Sequence, residues 1–180
     1  RTHPGFIRKG TNHKGKQMKQ LSESEMLHRA AAYCSAGERC IQDMEKKIKA
    51  AGLTEEESDR IIARLLEERF IDESRFARYF VNDKLRFNKW GRVKINYEMQ
   101  RKGIPSGIRS EALAGIDEQE YFSNLLSLLK SKKKATRGKN DREIYAKLLR
   151  FAFGRGFETK ETSGCLKQLF DGNDFEDDFE

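Results

Sequence analysis

Proline is nearly missing from this chain, with two in 180 residues, and no apolar run approaches the roughly 20 residues that a membrane-spanning helix requires. Nothing resembles a signal peptide, and a cytoplasmic location is expected. Three cysteines, Cys34, Cys40 and Cys165, exclude a disulfide framework. Cys34 and Cys40 have only His28 nearby and lack a second pair at zinc-like spacing, so packed helix thiols are expected, with no metal and no cofactor. Catalytic sets are missing as well. No Ser/His/Asp or Cys/His arrangement lies on a recognisable scaffold. The neighbouring carboxylates Glu67 and Glu68 would project about 100° apart on a helix, which makes them poor acid/base partners. No enzyme is expected.

Two motif fragments fail on inspection. Gly10 to Gln17 (GTNHKGKQ) fits most of a phosphate-binding loop, but Gln17 stands where the Mg²⁺-binding hydroxyl belongs and no strand precedes it. The stretch from Asp171 opens like a calcium loop, yet Phe175 occupies a ligand place and no closing Glu follows.

What is present is charge and helix-forming composition. Charged residues make up 36% and hydrophobic ones 37%, with Ala, Leu, Lys, Glu and Arg dominant, which points to an all-α protein. The net charge of +7 is unevenly placed. Residues 1–21 form a Gly- and Lys-rich basic arm without apolar periodicity, read as flexible. A second basic run extends from Lys130 to Arg142, and residues 171–180 form an acidic tail. A basic body suits a polyanionic partner, nucleic acid or a protein that binds it. The tail reads as solubilising and disordered, or as a segment that meets a basic surface.

Aligning the chain on Gly52, Gly103 and Gly156 exposes a repeat. Eight residues before each glycine stand Met44, Ile95 and Leu148, and four before stand Ile48, Met99 and Ala152. Leu53, Ile104 and Phe157 follow immediately. Ile62, Leu113 and Leu166 come ten residues after, and Leu65, Ile116 and Leu169 thirteen after. Each unit therefore reads helix, Gly turn, helix, the glycine taking the left-handed conformation that ends a helix. Thr54 with Glu57 and Ser22 with Glu25 have capping-box spacing, and Pro105 suits a helix start. A further helix precedes each pair, at about 22–35, 72–89 and 117–132. The expectation is nine helices in three tandem three-helix repeats, 22–71, 72–116 and 117–170, forming an elongated, curved array.

The stretch RFIDESRFARYFVNDKLRFNKWG (69–91) interleaves aromatics with bases, which suits either a stacking platform for single strands or an amphipathic helix. On a helical wheel Arg75, Arg78, Asn82, Arg86 and Lys89 form a polar stripe, while Phe76, Phe80 and Phe87 gather on another face. The wheel therefore predicts core phenylalanines and a basic outer face. Trp90 either packs between units or anchors a partner. The basic surface continues through Arg92, Lys94, Arg101 and Lys102.

The runs FIDESRFARYFVNDKL and WGRVKINYEMQRKGI, followed by LLRFAFGRGFE, resemble the RecX family of recombination regulators. The similarity covers roughly residues 22 to 170. It is most specific at Arg69 to Ala77, Gly91 to Ile104 and Gly154 to Phe157. Two departures stand out: Arg69 replaces a usual Gly and Glu73 a usual Asp, but Asp72 still suits a helix cap. The resemblance implies an all-α protein of three three-helix repeats. It also implies a modulator of the RecA recombinase, usually an inhibitor, that binds in the groove of the RecA filament on single-stranded DNA. Filament growth, ATP hydrolysis and strand exchange would be depressed. A curved basic array suits that groove. The expected partner-binding residues are Arg75, Arg78, Arg86, Lys89, Trp90, Arg92, Lys94, Arg101 and Lys102, then Lys132, Lys133, Lys134, Arg137 and Lys139. They would act by charge complementarity and steering, with direct contact to single- or double-stranded DNA possible in principle and a monomer expected. The rival readings are a stand-alone, non-specific DNA-binding helical protein and a helical scaffold for an unrelated partner.

Overall fold

The computed structural model describes residues 21–170. The basic arm, the phosphate-loop fragment, the acidic tail and the calcium-loop fragment lie outside the described residues, apart from Leu21. Nine α-helices and no strands occur among the described residues. They run α1 Glu23–Ala36, α2 Ile41–Ala50, α3 Glu55–Glu67, α4 Glu73–Asp83, α5 Arg92–Arg101, α6 Ser106–Ala114, α7 Glu118–Ala135, α8 Asp141–Gly154 and α9 Thr159–Leu169.

Local sequence explains most of the boundaries. Thr54 and Glu57 form the reciprocal capping box that opens α3. Ser22, Asp72, Asp117 and Asn140 each accept a backbone N–H at the start of α1, α4, α7 and α8. Pro105 sits one position ahead of α6, where its missing N–H costs nothing. The three repeat glycines take φ of 87°, 76° and 87°. In each, the Gly N–H donates to the carbonyl three residues back at 3.0 Å, closing the helix before it.

Three buried cores follow one another along the chain. The first gathers Met26, Met44, Ile48 and Leu65 from α1–α3. The second holds Phe76, Phe80, Ile95 and Met99 from α4–α5, and Cys40 reaches into it from the first unit. The third holds Tyr121, Leu125, Leu148 and Leu166 from α7–α9. Repeat positions −8, −4 and +1 are buried in all three units. Positions +10 and +13 are less uniform, since Leu113, Ile116 and Leu169 are only half-buried. The position at +9 (Ile61, Ala112 and Cys165) is buried in every unit. Phe76 and Phe80 stack at 5.8 Å between ring centroids, and burial of each contributes about 2 kcal/mol.

The expectation of one helix over 72–89 is corrected. Regular α4 ends at Asp83, and Lys84–Asn88 forms a π-helical turn with no buried residue. Beyond it Lys89 adopts the left-handed conformation at φ 54° and its backbone N–H donates to Lys84 O, closing the turn, with Trp90 N–H donating to the same carbonyl at 3.1 Å. A π turn holds more residues than an α turn, so a wheel drawn at one fixed angle fails past Asp83. Phe87, expected in the core, is therefore 79% exposed.

Candidate partner interface

The candidate surface is mounted on two joints between helical units. At the first joint, α2 starts after Cys40 without a side-chain cap of its own. Glu73 of α4 supplies one, its carboxylate accepting the Ile41 N–H at 3.1 Å. Burial raises the Glu73 carboxyl above its ordinary pKa even though this bond acts the other way. Arg75 donates to Glu38 at 2.6 Å and to the carbonyls of Arg69 and Phe70. Lys102 reaches Asp43 at 3.2 Å, and the Cys40 thiol faces the Lys102 carbonyl. Burial pushes the Cys40 thiol up to about 11, so it stays protonated at neutral pH.

At the second joint the third unit caps α5. A helix leaves its first N–H groups unpaired. Here Gly91 N–H donates to Arg155 O at 2.8 Å, Val93 N–H to Gly156 O at 3.0 Å and Arg92 N–H to the Tyr121 hydroxyl at 3.0 Å. The Tyr121 hydroxyl in turn donates to Glu158, and burial lifts the phenol well above its ordinary pKa. The Arg92 side chain, only 20% exposed, pairs with Glu118 at 2.6 Å and Glu158 at 2.9 Å and lies over the Tyr121 ring. Burial works against its charged form, but Glu118 and Glu158 outweigh that and hold its pKa above the ordinary value. Approach is close enough that a Cβ on Gly91 would stand 2.3 Å from Gly156 O.

The fourteen candidates thus divide by position. Arg75, Arg92 and Lys102 hold joints, and Lys133 donates to Leu169 O at 2.6 Å beneath the Phe170 ring. Trp90 is half-buried against the middle core, with the Lys84 and Lys94 ammoniums over its ring at 5.1 and 4.6 Å. Outward-facing Arg78, Lys89, Lys134, Arg137 and Lys139 have no ion pair among the described residues. Arg86 meets Glu120 only at 3.8 Å, with both side chains mostly in water. Arg101 lies beside Glu98 and over the Tyr97 ring, and Lys132 over Phe151.

Four apolar residues lie on the outside of the middle unit, and of these sequence reasoning had placed Phe87 in the core and given the others no role. Tyr79, Phe87, Val93 and Tyr97 are all exposed. Val93 and Tyr97 share one helix face with Arg101 at i, i+4 and i+8 spacing, a signal visible in the sequence. No helix among the described residues is long and apolar enough to cross a membrane, and no group of three or more His, Cys, Asp or Glu is placed to hold a metal ion.

Comparison with known proteins agrees with this architecture. The family model for the second three-helix domain of RecX matches residues 72–113. The regulatory protein RecX of Prosthecochloris aestuarii is 30% identical over 153 residues, covering 84% of this chain and 98% of that one. The RecX of Clostridium acetobutylicum is 28% identical, covering 81% and 69%. The crystal structure of RecX from Lactobacillus salivarius superposes with a TM-score of 0.75 at 19% identity, covering 82% of this chain and 96% of that one. On this sequence similarity, with the fold in agreement, the chain belongs to the RecX family of regulatory proteins.

Proposed function

We propose that this chain is a negative regulator of RecA that binds in the groove of the RecA filament on single-stranded DNA and limits its extension, ATP hydrolysis and strand exchange. The observation that carries this reading is the outward cationic face of the middle unit. Arg78, Arg86, Lys89 and Arg101 are exposed there, and among the described residues only Arg86 and Arg101 have carboxylate partners, at 3.8 and 3.4 Å. Such a face favours encounter with a polyanionic filament and sets orientation more than sequence readout. Lys132, Lys134, Arg137 and Lys139, at the far end of α7 and just after it, give the third unit an exposed cationic segment of its own, and the Lys94 ammonium lies over the Trp90 ring. Arg75, Arg92, Lys102 and Lys133 contribute by holding the units that present it. In this proposal the protein works as a cytoplasmic monomer whose repeats, 22–71, 72–116 and 117–170, touch neighbouring protomers, so several weak contacts combine through effective concentration.

Titrating the protein into preformed RecA filaments on single-stranded DNA while following ATP hydrolysis tests the reading. Inhibition is expected well below the concentration that coats naked DNA. Inhibition only at DNA saturation would favour the rival reading of a non-specific DNA-binding protein, for which the unpaired Lys134, Arg137 and Lys139 are the natural surface.

A further inference from the structure

Three irregularities coincide within six residues of the middle unit. Lys84–Asn88 is a π turn, Lys89 is a non-glycine residue in the left-handed region, and Phe87 is 79% exposed. π turns and left-handed non-glycine residues both cost stability and both concentrate at functional sites. Leu85 of the turn packs against the middle and third cores, and the turn leads Gly91 to Arg155 O, but neither demand involves the Phe87 ring, which is left in water. Phe87 is also flanked by cations. Arg86 precedes it, its only ion-pair partner among the described residues being Glu120 at 3.8 Å across an exposed pair, and Lys89 follows two residues on with no ion pair among the described residues.

We infer that the π turn and Lys89 form a binding element for single-stranded nucleic acid, in which the Phe87 ring stacks on one base while Arg86 and Lys89 neutralise the flanking phosphates. The chemistry selects the ligand. A protein hot spot sits in a packed, desolvated surround, whereas the segment around Phe87 is solvated and cationic. A base offers a π-face that needs no apolar rim, and the adjoining phosphates match the adjoining cations. Duplex bases are already stacked on each other, which leaves the single strand as the partner. The inference deepens the reading of the middle unit as the side that faces the nucleoprotein filament, and rests on it. It adds a direct contact with the strand itself.

The test measures binding of the full chain to oligo-deoxythymidine and to an abasic oligonucleotide of equal length, across a salt series. Binding is read from the fluorescence anisotropy of a dye on the oligonucleotide, a signal that is the same for every Phe87 variant. Phe87→Ala is expected to weaken oligo-deoxythymidine binding about tenfold with an unchanged salt slope, and to leave abasic binding unaltered. Phe87→Trp should restore affinity and Phe87→Leu should not. Exposure of the ring means that none of these changes should lower the melting temperature. Equal losses on both oligonucleotides, full affinity with Leu, or no binding of oligo-deoxythymidine by the parent would each overturn the inference. A Phe87→Ala protein that binds the strand normally but no longer inhibits RecA would overturn it too, while leaving the proposed function standing.

Discussion

At the scale of single residues, three neighbours around the start of the middle unit have measurable effects on stability. Arg69 holds φ 57° just past the end of α3, a conformation that glycine adopts without a Cβ penalty. Arg69→Gly should therefore raise stability by up to about 1 kcal/mol in urea unfolding, with the Arg69 carbonyl still free to accept from Arg75. Asp72 caps α4 by accepting the Arg75 N–H at 3.0 Å, and that bond holds its carboxyl below the ordinary value of 3.8. A depressed folded pKa contributes stability above the unfolded value and loses it as pH falls through the folded one. Asp72→Ala should thus cost about 1 kcal/mol at pH 7, and the gap from the parent should close as the pH drops below 3.8. Glu73 has the opposite sign. Its folded pKa is raised by burial, so ionisation costs stability as pH rises through that value. Glu73→Gln, which can still accept the Ile41 N–H, should remove this loss.

At the scale of elements, much was legible because helix periodicity and glycine punctuation are local. The Gly52, Gly103 and Gly156 turns, the Thr54 capping box and the buried −8, −4 and +1 positions all follow from spacing alone. The π turn did not, because no residue in KLRFN marks it. It is tied to long-range demands: the segment must deliver Gly91 to Arg155 O, while Arg155 donates to Asn88 O at 3.0 Å. The same limit hid the roles of Arg75 and Arg92. Both read as surface bases until Glu38, Glu118 and Glu158, from 26 to 66 residues away, come alongside. The segments around Gly91 and Gly154–Phe157 meet each other at this joint, so they serve assembly of the units. Gly91→Ala should be severely destabilising, by several kcal/mol, because its Cβ meets backbone that has no room to move. Gly107→Ala, with nothing within 4 Å of the added Cβ, is the matched control and should cost nothing. Comparing the two melting temperatures checks the joint.

At the scale of the whole molecule, two joints carry cations inward and leave others outward, and only the second set is available to a partner. Joint and face are therefore separable by mutation. Arg92→Ala leaves Glu158 half-buried beside Tyr121 without its cation, and stability should fall by about 2 kcal/mol or more. Reversing outward charges should leave the fold intact, since exposed pairs such as Arg86–Glu120 contribute about 1 kcal/mol or less. The decisive measurement is half-inhibition of the RecA ATPase on single-stranded DNA by the Arg78→Glu/Arg86→Glu/Lys89→Glu/Arg101→Glu protein, at a temperature where it is as folded as the parent. A rise of tenfold or more in the concentration required is the predicted result. An unchanged concentration with the fold intact would contradict the account, because the outward face of the middle unit would then have no part in regulation.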